Sequence, residues 1–378
     1  MLEVADVFRE AGPAYREAFA SRMPRSHLRV MRAVESCRTA ALGGHVLACD
    51  RCPEKQYAYH SCRDRHCPKC QGQEGQRWLE TQQARLLPVP YFLLTFTLPS
   101  ELRPVARSNQ RIVYGILMTA AAEAITELAS NPRYLGARPG MVAVLHTWTR
   151  AMLYHPHAHL LVTAGGLAPD GRRWLSPKNP RFLVPGYALS VLFRAKVRDA
   201  LKKAHLFGDV PATAWAKTKK WVVHVKHAGS GTKVLAYLAR YVFRIAITNS
   251  RLVRLADGQV TFRYRDNRTG EIKHCTVPAK EFLARFLQHV LPRGFKKVRH
   301  YGLYSPTRRA DLEHARSLIG SARHDRQSIP RDASDDSPPI TAVATPADRP
   351  CPSCKVGQLR VVESLPRMSS RTSSRGPP

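Results

Sequence analysis

HPHAHLLV, residues 155–162, is the most informative stretch of this chain. Three histidines within five residues lead directly into an apolar segment. Side chains on a β-strand alternate between the two faces of the sheet, so His157 and His159 point to the same side. Two imidazoles on one face of a rigid strand provide half of a metal site. The stretch predicts a metal-binding strand, or else a half-exposed strand that is merely rich in histidine.

A second strand is predicted just upstream, over residues 141–148, and the two strands are expected to form an antiparallel hairpin. If Trp148 pairs with His155, His146 lies opposite His157 on the same face and becomes a candidate third ligand. A register slip of one residue would turn His146 away, where it would be a hydrogen-bonded core histidine. The connecting loop is too long for its turn type to fix the register.

GTKVLAYLARYVFRI, residues 231–245, has the apolar spacing of a helix. Tyr237 and Tyr241 are four residues apart and share a face. The neighbouring stripe is basic and comprises Lys233, Arg240 and Arg244. Both phenols are therefore predicted to lie between an apolar surface and a cationic one. Two stacked core tyrosines are the alternative interpretation of this spacing.

The histidine strand and the tyrosine helix together suggest one chemistry. A phenol, with a pKa of about 10, is a poor nucleophile at neutral pH. A divalent ion on His157 and His159 could bind a scissile phosphate oxygen and stabilise the charge that develops there. A tyrosine could then attack the phosphorus, leaving a 5′-phosphotyrosine and a free 3′ hydroxyl. Two tyrosines on one helix would allow two such transfers.

The composition indicates a nucleic-acid partner. Sixty lysines and arginines against 28 aspartates and glutamates give the 378-residue chain a net charge of +32. Such an excess indicates a polyanion, with an anionic membrane surface as the rival to nucleic acid. No stretch reaches the roughly eighteen apolar residues of a spanning helix, and residues 1–10 lack the apolar core of a secretory signal. We expect a cytoplasmic, nucleoid-associated protein that does not enter a membrane.

Lysines beside Trp215 and Trp221 add a candidate DNA contact. Such a pattern suits a phosphate backbone next to a stacking aromatic side chain. A solvated run of charge is the alternative interpretation.

The cysteines predict a zinc module. Six of the nine lie within residues 37–70, and in a reducing compartment such clustering indicates metal rather than disulfides. Two Cys-x-x-Cys knuckles, Cys49/Cys52 and Cys67/Cys70, are separated by 14 residues. Each knuckle lets both thiolates reach one ion, so the four cysteines are expected to hold one structural Zn²⁺.

The other thiols and imidazoles of this region leave the metal count open. Cys37, Cys62 and His66 could form a second zinc site with neighbouring histidines, or His66 could replace a cysteine in the first. A last knuckle, Cys351/Cys354, is half of a zinc site. No second pair follows it downstream, so the sequence alone does not predict a metal there.

These motifs resemble those of a known family. His157-Ala158-His159 resembles the His-hydrophobic-His signature of the HUH endonuclease superfamily, and residues 237–241, YLARY, resemble its two-tyrosine branch. SCRDRHCPKCQ, residues 61–71, is similar to the N-terminal zinc-binding domain of rolling-circle insertion-sequence transposases. Further matches to that family are FTLP (96–99), LHTW (145–148), HPHAH (155–159) and RHYGL (299–303).

The resemblance implies an α+β fold: an antiparallel sheet with flanking helices, HUH nuclease-like, plus a small N-terminal zinc-binding module. It implies a transposase that nicks and rejoins single-stranded DNA in rolling-circle transposition, with single- and double-stranded element ends as partners. Tyr237 and Tyr241 would be the nucleophiles, with His157 and His159 on Mg²⁺ or Mn²⁺. Some HUH enzymes take a third ligand from the tyrosine helix, but residues 233–248 contain no Glu, Gln, Asp or His. The third ligand must come from elsewhere, which keeps His146 a candidate.

Four segments follow from these assignments. They are a helical segment (1–36), a zinc-binding domain (37–87), a two-tyrosine nuclease-transposase domain (88–305), and a mostly disordered tail with one knuckle (306–378). A replication initiator or relaxase would share the same chemistry. A zinc-finger nucleic-acid-binding protein without catalysis would explain the charge and the cysteines, but not a tyrosine pair beside a histidine strand.

Overall fold

The computed structural model describes residues 2–70, 72–242, 246–266, 268–324 and 349–368, without the side chains of 72–74, 237, 240–241 and 322–324. Its helices are α1 Val4–Phe19, α2 Arg25–Ser36, α3 Gly72–Arg85, α4 Arg103–Ser108, α5 Gln110–Ser130, α6 Gly186–Lys203, α7 Thr232–Val242, α8 Ala279–Leu287 and α9 Arg309–His324. Its strands are β1 Gly44–Cys49, β2 Lys55–Tyr59, β3 Tyr91–Thr97, β4 Gly140–Trp148, β5 Tyr154–Thr163, β6 Gly166–Leu167, β7 Trp174–Leu175, β8 Val222–Gly229, β9 Leu252–Ala256, β10 Gln259–Arg265, β11 Ile272–Pro278, β12 Val298–Gly302, β13 Arg349–Pro350 and β14 Gln358–Leu365.

A five-stranded antiparallel sheet, in the order β12-β4-β5-β3-β8, forms the centre of the fold. Its inner strands β4, β5 and β3 are largely apolar and buried because helices cover both faces, whereas the edge strands β8 and β12 are partly exposed. Met141, Ala143 and Leu160 face a core shared with α5 and α6. Val142 and Leu161 face the opposite core, which is shared with α3, α7 and α9. The predicted α+β class, an antiparallel sheet with flanking helices, is confirmed.

The hairpin of β4 and β5 has the register that a third histidine ligand required. His146 lies opposite His157, in a ladder that starts at Met141 and Val162. The sequence analysis placed Trp148 opposite His155. An irregularity after His146 instead makes Trp148 pair with Tyr154. The bulge absorbs one residue near the turn and leaves the histidines in place.

The zinc module combines strands from residues 44–59 with strands from the last described segment, residues 349–368. A second sheet has the order β13-β14-β1-β2. Strand β14 pairs antiparallel with β1, from Gly44 opposite Leu365 to Cys49 opposite Leu359. The sequence indicated a strand here but placed it in a tail. The pairing makes it part of the zinc module, and the proposed boundary at residue 306 does not separate the two.

The N-terminal helices pack against the second half of the chain. Phe8 of α1 meets Phe286 of α8 edge-to-face, with ring centroids 5.2 Å apart. Both rings belong to an apolar core that also includes strands β10 and β11 and the buried thiols of Cys37 and Cys67. Residues 2–36 therefore serve as a packing segment that supports the zinc module.

Helix α5 is long and apolar enough to cross a membrane by length and composition, with a mean hydropathy of 1.5. It lies instead against the central sheet, and Leu117, Ala121 and Ile125 are buried in the core there. Burial inside a folded domain accounts for its composition.

Candidate active site and metal centres

His146 on β4 and His157 and His159 on β5 form a cluster near one end of the central sheet. Their ligand nitrogen atoms all lie within 4.8 Å of one another. The ring centroids are 5.2 Å apart for His146 and His157, 4.5 Å for His146 and His159, and 5.0 Å for His157 and His159. Three imidazoles at this separation can share one metal ion.

Outer hydrogen bonds orient two of the rings. His157 Nδ1 lies 2.7 Å from the backbone carbonyl oxygen of His155. A carbonyl oxygen can only accept, so Nδ1 carries the proton and the lone pair of His157 is on Nε2. Thr95 Oγ1 lies 2.9 Å from His159 Nδ1 and can hold that ring in the same tautomer. Second contacts of this kind fix the direction in which a histidine offers its lone pair.

All three imidazoles are neutral at pH 7. Burial lowers the pKa of His157 to about 3, and the neighbouring His159 adds to the shift. Burial lowers the pKa of His159 to about 4. The pKa of His146, which is 3% exposed, is also well below its ordinary value because of burial and the two nearby rings. A neutral imidazole can bind a cation without first releasing a proton.

A tryptophan and a lysine lie beside the cluster. The Trp148 ring stacks on His146, with centroids 5.4 Å apart and planes 14° from parallel. Lys297 Nζ lies 4.7 Å from the centre of the Trp148 ring. Burial lowers the pKa of Lys297 to about 7, and its charge in turn lowers the pKa of His146. The buried lysine therefore disfavours further positive charge at the cluster, and an anionic substrate or ligand would offset that repulsion.

Helix α7 packs on the face of the sheet that carries the histidines. Its Leu235 and Leu238 belong to the same apolar core as Val144 of β4 and Leu161 of β5. Each of those two strand residues is two positions from a histidine of the cluster, and side chains two apart on a strand share a face. The helix and the histidine cluster therefore lie on one side of the central sheet.

Both predicted nucleophiles are on this helix. The backbone at Tyr237 and Tyr241 lies within α7, as the helical spacing predicted. Their side chains lie outside what the structure describes. The helix begins after Gly231, whose φ of +76° brings its backbone so close to Tyr91 that a Cβ would overlap the ring. Tyr91 Oη in turn lies 2.6 Å from Tyr304 Oη, in a buried contact that fixes the ring against which the start of the helix packs.

Cys37, Cys62, Cys67 and Cys70 form one thiol cluster, with all four sulfur atoms within 4.8 Å of one another. Cys70 Sγ is 3.3 Å from Cys37 Sγ and 3.4 Å from Cys62 Sγ. Four sulfurs around a tetrahedral ion at a Zn–S distance of about 2.3 Å lie about 3.8 Å apart. The sulfurs therefore have nearly the separation that zinc requires, and the burial of Cys37 and Cys67 makes the site closed.

Cys49 and Cys52 lie in a second cluster, with Cys351 and Cys354. The structure therefore corrects the grouping predicted from spacing, which placed Cys49 and Cys52 with Cys67 around one ion. The pairing of β14 with β1 is the physical reason, because it brings the last knuckle to the end of β1. Cys37 and Cys62, which the sequence left as ligands of a possible second site, lie with Cys67 and Cys70.

Comparisons with known proteins agree with this architecture. A family model described as "Putative transposase" matches residues 140–311, and one described as "Transposase zinc-binding domain" matches residues 7–98. The chain is 42% identical to "Putative transposase y4qJ" of Sinorhizobium fredii (strain NBRC 101917 / NGR234), over 96% of this chain and 95% of that protein. It is 31% identical to "Transposase for insertion sequence element IS801" of Pseudomonas savastanoi pv. phaseolicola, over 71% of this chain and 67% of that protein. This chain belongs to the family of insertion-sequence transposases. No solved structure matches it.

Membership confirms the resemblance inferred from the sequence. The transposase is a DNA-processing enzyme with a zinc-binding domain, and both features imply that it binds DNA. The match to the zinc-binding domain ends at residue 98, and the match to the transposase domain ends at residue 311. The knuckle at Cys351 and Cys354 therefore lies outside both.

Among the residues that the structure describes, His66 joins neither thiol cluster of the transposase. Its Nδ1 lies 2.8 Å from Asp64 Oδ1, and its Nε2 accepts a hydrogen bond of 3.1 Å from the Leu291 backbone N–H. Both ring nitrogens are thus used in positioning the chain. The prediction that His66 binds zinc is replaced by a structural role.

The two tryptophans proposed as DNA-stacking residues pack on each other instead. Trp221 is 4% exposed, and its ring centroid is 5.5 Å from that of Trp215. Trp221 Nε1 donates to the Ala214 carbonyl at 3.1 Å. Trp221 therefore belongs to the core and the partly buried Trp215 packs against it, which corrects the hypothesis of a stacking surface for Trp221.

Neither Thr95 nor Lys297 was assigned to the histidine site from the sequence. Thr95 was predicted to lie in a buried strand, and Lys297 in a basic, aromatic strand over residues 295–302 that could lie along DNA or be a solvated edge strand. The order of the sheet places β3 beside β5 and the segment before β12 beside β4, which brings both residues to the histidine site. A sequence signal for them would require knowledge of those pairings.

Proposed function

We propose that this transposase nicks and rejoins single-stranded DNA at the ends of its element through a 5′-phosphotyrosine intermediate. The observation that carries the proposal is the placement of the three-histidine cluster and helix α7 on one face of the central sheet. That arrangement supports a metal site beside a pair of tyrosine nucleophiles, each of which could attack one scissile phosphate.

The residues of the cluster fit a catalytic divalent ion. His146, His157 and His159 offer three neutral nitrogen donors, and three ligands leave coordination positions for phosphate oxygen or water. When bound, the ion supplies positive charge to a non-bridging oxygen of the scissile phosphate. Mg²⁺ prefers oxygen ligands, so we expect Mn²⁺ to support the reaction better than Mg²⁺ at equal concentration.

The strand-transfer step balances without an external energy source. The phenol oxygen of Tyr237 or Tyr241 bonds to the phosphorus, and the bond from phosphorus to the 3′ oxygen breaks. The phenol loses a proton and the departing 3′ oxygen gains one. In the rejoining step a 3′ hydroxyl attacks the phosphotyrosine, and the tyrosine leaves as a phenol. Two tyrosines allow one DNA end to remain attached while the next is cut.

A basic groove on the zinc module supports the assignment of DNA as the partner. The groove has a volume of about 770 Å³ and is lined by exposed arginines at 38, 63, 349 and 367. Tyr57, which is 65% exposed, stacks on Tyr59 at its wall and offers a surface on which a base can stack. We assign element-end DNA, single- and double-stranded, to this groove, and the activity to the cytoplasm at the nucleoid.

The test is formation of a covalent adduct. Labelled single-stranded DNA carrying the element ends is incubated with the full chain and Mn²⁺ or Mg²⁺, and protein–DNA species are separated under denaturing conditions. We expect an adduct from the natural protein, a loss of more than about 100-fold in a Tyr237→Phe/Tyr241→Phe double variant, and a comparable loss in a His157→Ala/His159→Ala variant.

Tyr187→Phe is the matched control, because Tyr187 is 83% exposed and lies on α6, which covers the opposite face of the sheet. It should form as much adduct as the natural protein. If the natural protein forms no adduct, or the double tyrosine variant forms as much as Tyr187→Phe does, the phosphotyrosine mechanism is incorrect. A non-catalytic zinc-finger protein would bind the DNA in this experiment but attach to none of it.

A further inference from the structure

The second thiol cluster joins two segments at a separation of about three hundred residues. Cys49 Sγ lies 3.7 Å from Cys354 Sγ, and Cys52 Sγ lies 3.6 Å from Cys351 Sγ. All four sulfur atoms lie within 4.8 Å of one another. Each segment contributes one Cys-x-x-Cys knuckle, and two knuckles are what a closed tetrahedral zinc site uses.

The backbone around the cluster is arranged to stabilise negative sulfur. The Arg51 N–H points at Cys49 Sγ at 3.4 Å, and the Gly357 N–H points at Cys354 Sγ at 3.2 Å. Hydrogen bonds from a backbone N–H favour the charged form of an acceptor. A Cβ at Gly357 would overlap Cys49 Sγ, so the knuckles can meet only because this residue is glycine.

Disulfides are a poor explanation of this geometry. A disulfide bond holds two sulfurs about 2.05 Å apart. Here the two sulfur atoms of each pair, Cys49 with Cys354 and Cys52 with Cys351, are more than 3.5 Å apart. All four sulfur atoms are close to one another rather than in isolated pairs. The separations are close to the roughly 3.8 Å expected for sulfurs around one zinc ion.

Strand β14 needs more than its own packing to stay in place. Along its eight residues Leu359 is buried, whereas Val361 and Val362 are 51% and 59% exposed. Asp50 adds polar contacts, accepting from the Gln358 N–H at 2.8 Å. The strand therefore gains little stability from apolar burial of its own, and a metal that binds only the folded arrangement would stabilise its pairing.

We propose that Cys49, Cys52, Cys351 and Cys354 bind a second structural zinc ion that clamps β14 onto β1. Two of its ligands, Cys49 and Cys52, lie within the matched zinc-binding region, whereas Cys351 and Cys354 lie beyond residue 311 and outside both matched regions. It also brings Arg349 and Arg367 to the basic groove described above. The proposal does not rest on the strand-transfer chemistry, and its test reads metal rather than activity.

The first test counts thiolate-bound metal in the natural, full-length chain. The protein is purified under reducing conditions, its zinc is exchanged for Co²⁺, and the intensity of the sulfur-to-cobalt charge-transfer band is measured per chain. This band reports sulfur ligands, so metal on the histidine cluster does not contribute to it. We expect a charge-transfer intensity that corresponds to two thiolate-bound ions per chain. An intensity that corresponds to one ion would overturn the proposal.

The second test assigns the additional ion to the clamp. A Cys351→Ser/Cys354→Ser variant should lose half of the charge-transfer intensity, and amide hydrogen exchange in β14 should accelerate while β5 stays protected. The matched control is Cys275→Ser, since Cys275 belongs to neither cluster among the described residues. It should retain the full band. Undiminished intensity in the double variant, or a disulfide between the two knuckles in the reduced natural protein, would refute the clamp.

Discussion

Replacing Thr95 by valine should weaken metal binding at the histidine cluster without removing any ligand. Thr95 Oγ1 lies 2.9 Å from His159 Nδ1 and can accept a hydrogen bond from it, which leaves the Nε2 lone pair of this ring available. Valine has nearly the same shape but no hydroxyl. In the variant, either the Nδ1–H stays in place without its acceptor, or the ring moves its proton to Nε2 and cannot bind the ion there.

The expected loss of metal affinity can be calculated from these two alternatives for the His159 ring. A buried N–H that loses its acceptor costs about 1–3 kcal/mol, and loss of an outer contact to a ligating histidine typically weakens metal affinity by about 10–100-fold. A factor of ten corresponds to about 1.4 kcal/mol, so both considerations agree. We expect Thr95→Val to raise the dissociation constant for Mn²⁺ by about 10–100-fold.

The assay is titration of Mn²⁺ into the apoprotein, followed by the electron paramagnetic resonance signal of the free ion. His157→Ala/His159→Ala defines the background from other sites. Thr95→Ser is the matched control, because it keeps the hydroxyl, and it should bind Mn²⁺ within about threefold of the natural protein. Covalent adduct yield of Thr95→Val should recover at high Mn²⁺. Natural affinity in Thr95→Val, or equal weakening in Thr95→Ser, would refute the role assigned to the hydroxyl.

Two further predictions concern parts of the fold away from the ligands. Burial lowers the pKa of His289 to about 3, so this residue stabilises the fold fully above pH 6.5 and progressively less as the pH falls through that value. Its contribution between about pH 8 and pH 5 is about 2 kcal/mol, and in urea unfolding the destabilisation caused by His289→Gln should shrink by that amount at the lower pH; an unchanged difference would contradict the shift. Gly231→Ala should lower adduct yield and stability, because its Cβ would overlap the Tyr91 ring, while leaving Mn²⁺ affinity intact. Gly229→Ala, at φ +62° with open space around its Cβ, should lose only about 1–2 kcal/mol; equal effects of the two glycine variants would show that the contact with Tyr91 is unimportant.

The histidine strand and the tyrosine helix were predictable because their signals are local. Alternation on β5 and the helical spacing of α7 each follow from a few consecutive residues. The position of His146 was conditional, because it depends on a pairing between strands. The structure supplies the missing information as a bulge after His146, which shifts Trp148 without moving the histidine.

The grouping of the cysteines could not be predicted from local spacing. Nearest neighbours in the sequence suggested that Cys52 and Cys67 share an ion. The structure separates them, because Cys52 belongs with β1 and its neighbour β14, whereas Cys67 belongs with the buried Cys37. A half-site at Cys351 was the available clue, since a lone knuckle needs a partner somewhere in the chain. Only the strand pairing identifies that partner.

The two tryptophans also show that a local sequence pattern does not reveal how the chain packs. Lysines around Trp215 and Trp221 are visible in the sequence, but burial is not. Both rings pack beside Phe193 or Phe207 in the core of the α6 side of the sheet. Charge near an aromatic residue therefore did not identify a DNA-binding surface. The arginines of the basic groove on the zinc module come from distant segments of the chain, so no local sequence pattern connects them.

The pairing of β1 with β14 also sets an order of events during synthesis. Cys49 and Cys354 are 305 positions apart, and a ribosome adds about 5–20 residues per second. Strand β14 is therefore synthesised roughly 15–60 seconds after β1. During that interval β1 has an unpaired edge that other nascent chains can join. Completion of the zinc module therefore requires synthesis as far as β14, and a chain truncated before β14 keeps the open edge permanently.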